Sequence, residues 1–177
     1  MSHARGKTFF RGCKKRLGST FPFLLVILFF LTAVTACSGY TGYFGSGYRQ
    51  LAAQDQKKAD AIVRTARSQM GVRYKYGGAS PKTGFDCSGL LYWAYRQHGV
   101  KIPRVAKDQA SAGRKVDPAR IAVGDLVVFK ISSGYHTGIY AGEGKFIHSP
   151  KAGAKVRMED MNIQYWRKAF VSARRLI

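Results

Sequence analysis

The hydrophobic period of this chain changes once, near Ile121, and that change limits the folds open to it. Before it, apolar residues recur at helical spacing. Ala59, Ile62, Val63, Ala66 and Met70 share one face of a helix predicted over 55–70 and closed by Gly71. Cys87, Leu90, Leu91, Ala94, Tyr95 and His98 share one face of a second helix, capped by Asp86 and stopped by Gly99. A short helix is expected around Val105 to Ala112. After Ile121 the apolar residues come in short runs. Leu126–Phe129, Thr137–Ala141, Lys145–His148, Val156–Met158 and Phe170–Leu176 read as strands, with a helical turn at Asn162–Arg167. Gly142-Glu143-Gly144 reads as a hairpin loop. Helices followed by a mostly antiparallel sheet define an α+β domain over residues 55–177.

Residues 1–54 have a different character. Arg5, Lys7, Arg11, Lys14, Lys15 and Arg16 precede an apolar run, Phe21 to Leu31, that is broken only by Pro22. Small residues, Val34-Thr35-Ala36, then lead to Cys37. This order describes a secretory signal over 1–36. Its apolar core is shorter than the ~20 residues that a bilayer span requires. Residues 38–54 are rich in Gly, Ser and Tyr, so 37–54 reads as a flexible tether, averaging roughly 20–25 Å as a coil.

The formal charge is +21. Without residues 1–36, which hold no acidic residue, 24 basic and 9 acidic residues remain. Such a surplus suits a polyanionic partner: nucleic acid, an anionic membrane face or the bacterial cell wall. The Lys and Arg residues are spread along the chain, and no helix-turn-helix, zinc-finger or RNA-binding signature is present, so nucleic acid is not expected. The three cysteines make no disulfide framework, and no CxxC or HxxxH spacing suggests a metal. No organic cofactor is expected.

Cys87 falls in the first turn of its helix, where the positive field of the N-terminus favours thiolate. Read alone, it serves equally well as a small buried hydrophobe. His136 and His148 lie at the two ends of the predicted hairpin. A three-residue loop at 142–144 pairs 141 with 145 and places both imidazoles on one face as diagonal neighbours. A two-residue loop places them on opposite faces. A thiol beside paired imidazoles is a nucleophile with a base and an orienting group. Asp86 reads as the helix cap and Asp125 as a turn residue. Ser88 reads equally as a cap or a substrate contact. Arg104 and Gln109 read as solvated surface more readily than as substrate contacts. His98 reads as a helix-end residue.

Five motifs stand in order: Tyr74-Lys75-Tyr76-Gly77-Gly78, Phe85-Asp86-Cys87-Ser88-Gly89-Leu90, Val123-Gly124-Asp125-Leu126, His136-Thr137-Gly138-Ile139-Tyr140 and Phe146-Ile147-His148-Ser149. Together they resemble the NlpC-type cell-wall cysteine peptidases, small papain-like enzymes, over about residues 57–177. The resemblance implies Cys87 as nucleophile, His136 as general base, His148 as the orienting third residue and Tyr76 as a tyrosine whose hydroxyl lies close to the thiol. The small residues before Cys37 likewise resemble the lipobox of bacterial lipoproteins, which implies lipidation of Cys37. Ser38 then resembles the default for transfer to the outer membrane, on its periplasmic face.

The implied activity is a peptidoglycan endopeptidase that cuts stem-peptide amides, at the D-glutamyl–diaminopimelate bond or at a cross-link. Peptidoglycan, the membrane through the lipid on Cys37, and regulatory envelope proteins are the partner classes this reading admits. Two alternatives stay open at this level: an acyltransferase on the same scaffold, or a non-catalytic wall-binding lipoprotein.

Overall fold

A computed structural model describes residues 53–177. The leader, Cys37 and nearly all of the tether lie outside the described residues. Helix α1 (Ala53–Arg67) is followed by a small hairpin of β1 (Ala79–Ser80) and β2 (Gly84–Phe85), then by α2 (Cys87–Arg96) and α3 (Ala106–Gln109). Strand β3 (Arg114–Val116), β4 (Leu126–Ile131), β5 (Gly134–Gly142), β6 (Lys145–His148) and β7 (Arg157–Asp160) come next. Helix α4 (Gln164–Ala169) and β8 (Phe170–Arg175) close the chain. One antiparallel six-stranded sheet takes the order β3-β8-β4-β5-β6-β7. The expected α+β architecture is therefore present.

The sheet is buried on both sides where it matters. Alternation along β4 sends Leu126 and Val128 toward the helices, with Ile62, Ala66, Leu90, Leu91, Ala94 and Ile139. Val127 and Phe129 point the other way, into an aromatic cluster with Phe146 and Trp166. Double burial explains why β4 reads as an unbroken apolar run. Each fully buried Leu, Ile or Phe contributes about 1.5–3 kcal/mol.

Several sequence-based boundaries shift. Helix α1 ends at Arg67, four residues before Gly71, because the chain there turns to bond across the domain. The Gly71 amide donates to Val156 O, and Tyr74 N to Ala154 O. Met70, expected on the buried face, is consequently 46 % exposed. His136 lies inside β5, opposite Phe129, rather than ahead of the strand. Strand β3 and the β1–β2 hairpin carry no apolar alternation and were not expected; tertiary pairing with β8 forms the first.

The β5–β6 turn is the point on which the imidazoles depend. Gly142 pairs with Lys145, so the loop has two residues, Glu143 and Gly144, both at positive φ as a type I′ turn requires. That loop alone sets the imidazoles on opposite faces. Ala141, however, is a bulge, and beyond it Tyr140 pairs with Phe146 and Ile139 with Ile147. The extra residue restores the register of a three-residue loop and returns His136 and His148 to one face.

Candidate active site

Cys87 owes its position to Asp86 and to two glycines. Asp86 is the N-cap of α2, its Oδ1 accepting from Gly89 N at 2.6 Å. The same carboxylate accepts from Gly77 N at 3.0 Å and from both terminal nitrogens of Arg104, at 3.0 and 2.8 Å. Arg104 also donates to Gly78 O and to Ser88 Oγ. The Tyr74–Gly78 segment is thereby clamped against the mouth of α2. The approach is too close for side chains: a Cβ on Gly89 would lie 2.0 Å from Gly78 O, and one on Gly78 would lie 2.3 Å from Gly84 O. Arg104 and Gln109 are thus not solvated surface. Ser88 is buried, its hydroxyl bonded to Asp86, which favours the helix-start reading over a substrate contact.

Gln109 is fully buried and joins three elements. It donates to Ser88 O in α2 and to Pro103 O, and accepts from Thr137 Oγ1 in β5. This link fixes β5 against the first turn of α2. Alternation along β5 puts Thr137 and Ile139 on the helix face and His136 on the other. His136 therefore stacks on Trp166 on the face of β5 away from the helices, while still lining one cleft with Cys87. The Tyr140 amide bonds to Asp125 O, ahead of β4, so by alternation the Thr137 amide faces the β6 side, where the ladder has stopped at Ile139. Among the backbone groups, the Thr137 amide does most to lower the Cys87 thiol.

Cys87 and His136 line one cleft of about 970 Å³, with Tyr74, Tyr76, Lys107 and Lys130. His136 and His148 are both buried, and His136 Nε2 lies 2.8 Å from His148 Nδ1. The rings meet edge to face, with centroids 5.0 Å apart. Trp166 stacks on His136 at 5.6 Å. Ser149, also buried, donates to Phe85 O and ties the end of β6 to the strand that enters Cys87. Tyr76 lines the cleft but is 87 % exposed. Tyr74 lines the same cleft, and its phenol is pushed up by burial and next by Cys87. Tyr74 was legible only as the neighbour of Tyr76 in the same motif. His98 bonds Thr65 at 2.8 Å and joins α1 to α2, away from the cleft.

Burial pushes the Cys87 thiol up. The amides of Thr137, Ser88 and Cys87 oppose this, and Asp86 adds to it. The helix N-terminus therefore does not win, and the resting group is a thiol rather than the thiolate its position suggested. Burial pushes His136 down to about 3, with His148 lowering it further and Glu159 opposing. His148 is also lowered, by burial first, against the pull of Glu159. Both imidazoles are therefore neutral near neutral pH.

The same shifts make the fold sensitive to acid. Unfolded, both imidazoles return to about 6.5 and bind protons that the folded chain refuses. Their contribution is complete above that value and is lost as pH falls toward 3, the folded value of His136. About one unit below 6.5, His136 accounts for a loss of roughly 1 kcal/mol, and His148 adds in the same direction. Melting temperature should fall between about pH 7 and about pH 5, and fall less in His148→Asn. Identical slopes in the two proteins would contradict this account.

Residues 71–175 match the NlpC/P60 family. The chain belongs to the NlpC/P60 family. This NlpC/P60 chain is 36 % identical over 131 residues to murein DD-endopeptidase MepH of Escherichia coli, covering 71 % of the chain and 48 % of that protein. It is 38 % identical over 135 residues to a gamma-DL-glutamyl hydrolase of Bacillus subtilis, covering 73 % and 32 %. Among solved structures, the peptidoglycan hydrolase RipB of Mycobacterium tuberculosis aligns at 33 % identity with a TM-score of 0.62, covering 73 % of this chain and 69 % of that one. The chain thus spans about half or less of the length of these two curated relatives. Among the described residues, no His, Cys, Asp and Glu cluster is arranged to hold a metal, and no helix is long and apolar enough to cross a membrane.

Proposed function

We propose that this NlpC/P60 chain is a peptidoglycan endopeptidase that cuts stem-peptide amides through Cys87, His136 and His148. The observation that carries the reading is a free cysteine at a helix mouth, sharing a cleft with an imidazole that a second imidazole orients. Cys87 attacks the amide carbonyl while His136 takes the thiol proton. The Cys87 and Ser88 amides, which both lower the thiol, hold the oxyanion in this reading. Tyr74 offers a hydroxyl beside them, with Tyr76 at the rim. His136 then protonates the departing amine and later activates the water that releases the acyl group. His148 keeps His136 in register throughout.

Charge in the cleft supports an anionic substrate. Among the described residues, Asp86 is its only acidic lining residue and is paired with Arg104, which leaves Lys107 and Lys130 to meet stem-peptide carboxylates. The names of the relatives support the same substrate class, and the bond is the D-glutamyl–diaminopimelate bond or a cross-link to diaminopimelate. Cys37 is the proposed lipid anchor, holding the domain at the periplasmic face of the outer membrane by way of the 38–54 tether.

Purified peptidoglycan digested with the detergent-solubilised full chain should yield new amine termini and smaller muropeptides by mass analysis, with no added acceptor. A Cys87→Ala chain should yield none. Product that appears only when an amine acceptor is supplied would identify a transferase instead. Binding to peptidoglycan by a folded wild type that releases no fragment would refute the enzyme and leave a wall-binding protein.

A further inference from the structure

Beside the imidazole pair lies a carboxylate that the mechanism above does not use. Glu159 comes from β7, the strand next to β6, and its Oε2 stands 3.6 Å from His148 Nε2. That nitrogen is buried and has no hydrogen-bond partner among the described residues. The carboxylate is held from both sides. Its Oε2 accepts from the Trp166 indole, and its Oε1 from the Arg157 guanidinium. Trp166 also covers His136, so one indole locates both ends of the imidazole pair.

Counting protons gives this contact its meaning. Two ring nitrogens 2.8 Å apart share one proton, and it must belong to one ring. To receive the thiol proton on Nδ1, neutral His136 must carry its own proton on Nε2. His148 Nδ1 must then be bare, which leaves the His148 proton on Nε2, facing Glu159. A proton on the other nitrogen of His148 would force His136 into the tautomer that cannot act as the base.

We propose that Glu159 is a positioning residue of this site: pinned by Trp166 and Arg157, its carboxylate holds the His148 proton on Nε2 and so keeps His136 Nδ1 bare for the thiol. The proposal rests on the cysteine-hydrolase reading above. The charged and titratable groups facing His148 are His136 from β5 and Glu159 and Arg157 from β7. Those facing Glu159 are His148 and Arg157, with the Trp166 indole donating. The neighbouring His148 first, and then the hydrogen bonds from Trp166 and Arg157, keep the Glu159 carboxyl well below the usual carboxylate range, so it remains an anion wherever the enzyme works. When His136 becomes cationic during the reaction, this anion is the countercharge at the far end of the pair. The gap of 3.6 Å is slightly long for a hydrogen bond and shortens as positive charge develops on the rings.

The test uses the full chain in detergent with the cross-linked muropeptide it cuts. Glu159→Ala should lower kcat about 10- to 100-fold with KM nearly unchanged, since Glu159 does not line the cleft. The acid limb of kcat/KM should move to lower pH in Glu159→Ala and in Glu159→Gln, and return toward its original place in Glu159→Asp. Histidine-selective 15N spectra of the substrate-free wild type should show the His148 proton on Nε2, and Glu159→Ala should lose that preference. A purely structural role would lower the melting temperature and leave the acid limb in place, which overturns the proposal, as would a His148 proton found on Nδ1. If a Cys87→Ala chain still cuts, the cysteine-hydrolase reading fails, while the ring spectra, taken without substrate, separately decide the tautomer.

Discussion

A His136→Ala chain should lose turnover by roughly 10²- to 10⁴-fold while remaining folded, because it removes the imidazole that shares the cleft with the thiol. Cys87→Ala should cost more, on the order of 10⁶-fold, since the bond-forming atom itself is gone. The two losses should not add. Once Cys87 is absent the base has no proton to take, so the double variant should match Cys87→Ala within a few-fold. His136→Ala also leaves His148 Nδ1 without its partner, at a cost of about 1–3 kcal/mol, so rates must be compared below the melting temperature of the variant. Stopped-time digestion of one muropeptide by the three proteins measures this. A His136→Ala chain that cuts at the wild-type rate would remove the imidazole from the mechanism altogether.

Asp125→Ala should be the most destabilising single change outside the cleft, at about 3–5 kcal/mol. Asp125 and Arg175 are both buried, and the guanidinium donates to the carboxylate through Nε at 2.7 Å and Nη2 at 2.6 Å. Asp125 Oδ2 also caps the turn by accepting from Ala122 N, and Arg175 reaches Arg120 O. The pair therefore joins the entry of β4 to the last strand. Removing the carboxylate leaves a buried cation with no countercharge, whereas removing both charges does not. Urea denaturation should show a large fall in midpoint for Asp125→Ala and substantial recovery in Asp125→Ala/Arg175→Met. Equal stability of Asp125→Ala and wild type would mean that the guanidinium finds water, and the account of this pair would be wrong.

Asp125 also shows how far local sequence carries. Its turn role was legible, since a Gly-Asp pair before an apolar run is local chemistry. Its ion pair was not, because Arg175 lies 50 residues away and nothing in a strand ending Ala173-Arg174-Arg175 says which arginine turns inward. Gln109 is a similar case. A polar residue on a short helix reads as surface until three backbone segments converge on its amide. Glu159 lay outside every motif, and only pairing of β7 with β6 brings it to His148.

By itself, the order of periodic segments determined the α+β class, and the Asp-Cys-Ser-Gly run determined a cysteine at a capped helix mouth, because periodicity and capping act over a few residues. The imidazoles as a pair were a conditional inference: the loop alone would have separated them, and the Ala141 bulge, which no residue type announces, reunites them. Only the tertiary structure decided that thiol and imidazole line one cleft, that the thiol rests protonated, and that a glutamate ends the chain of rings. Each of these depends on which groups exclude water from one another, and desolvation is a property of the assembled fold.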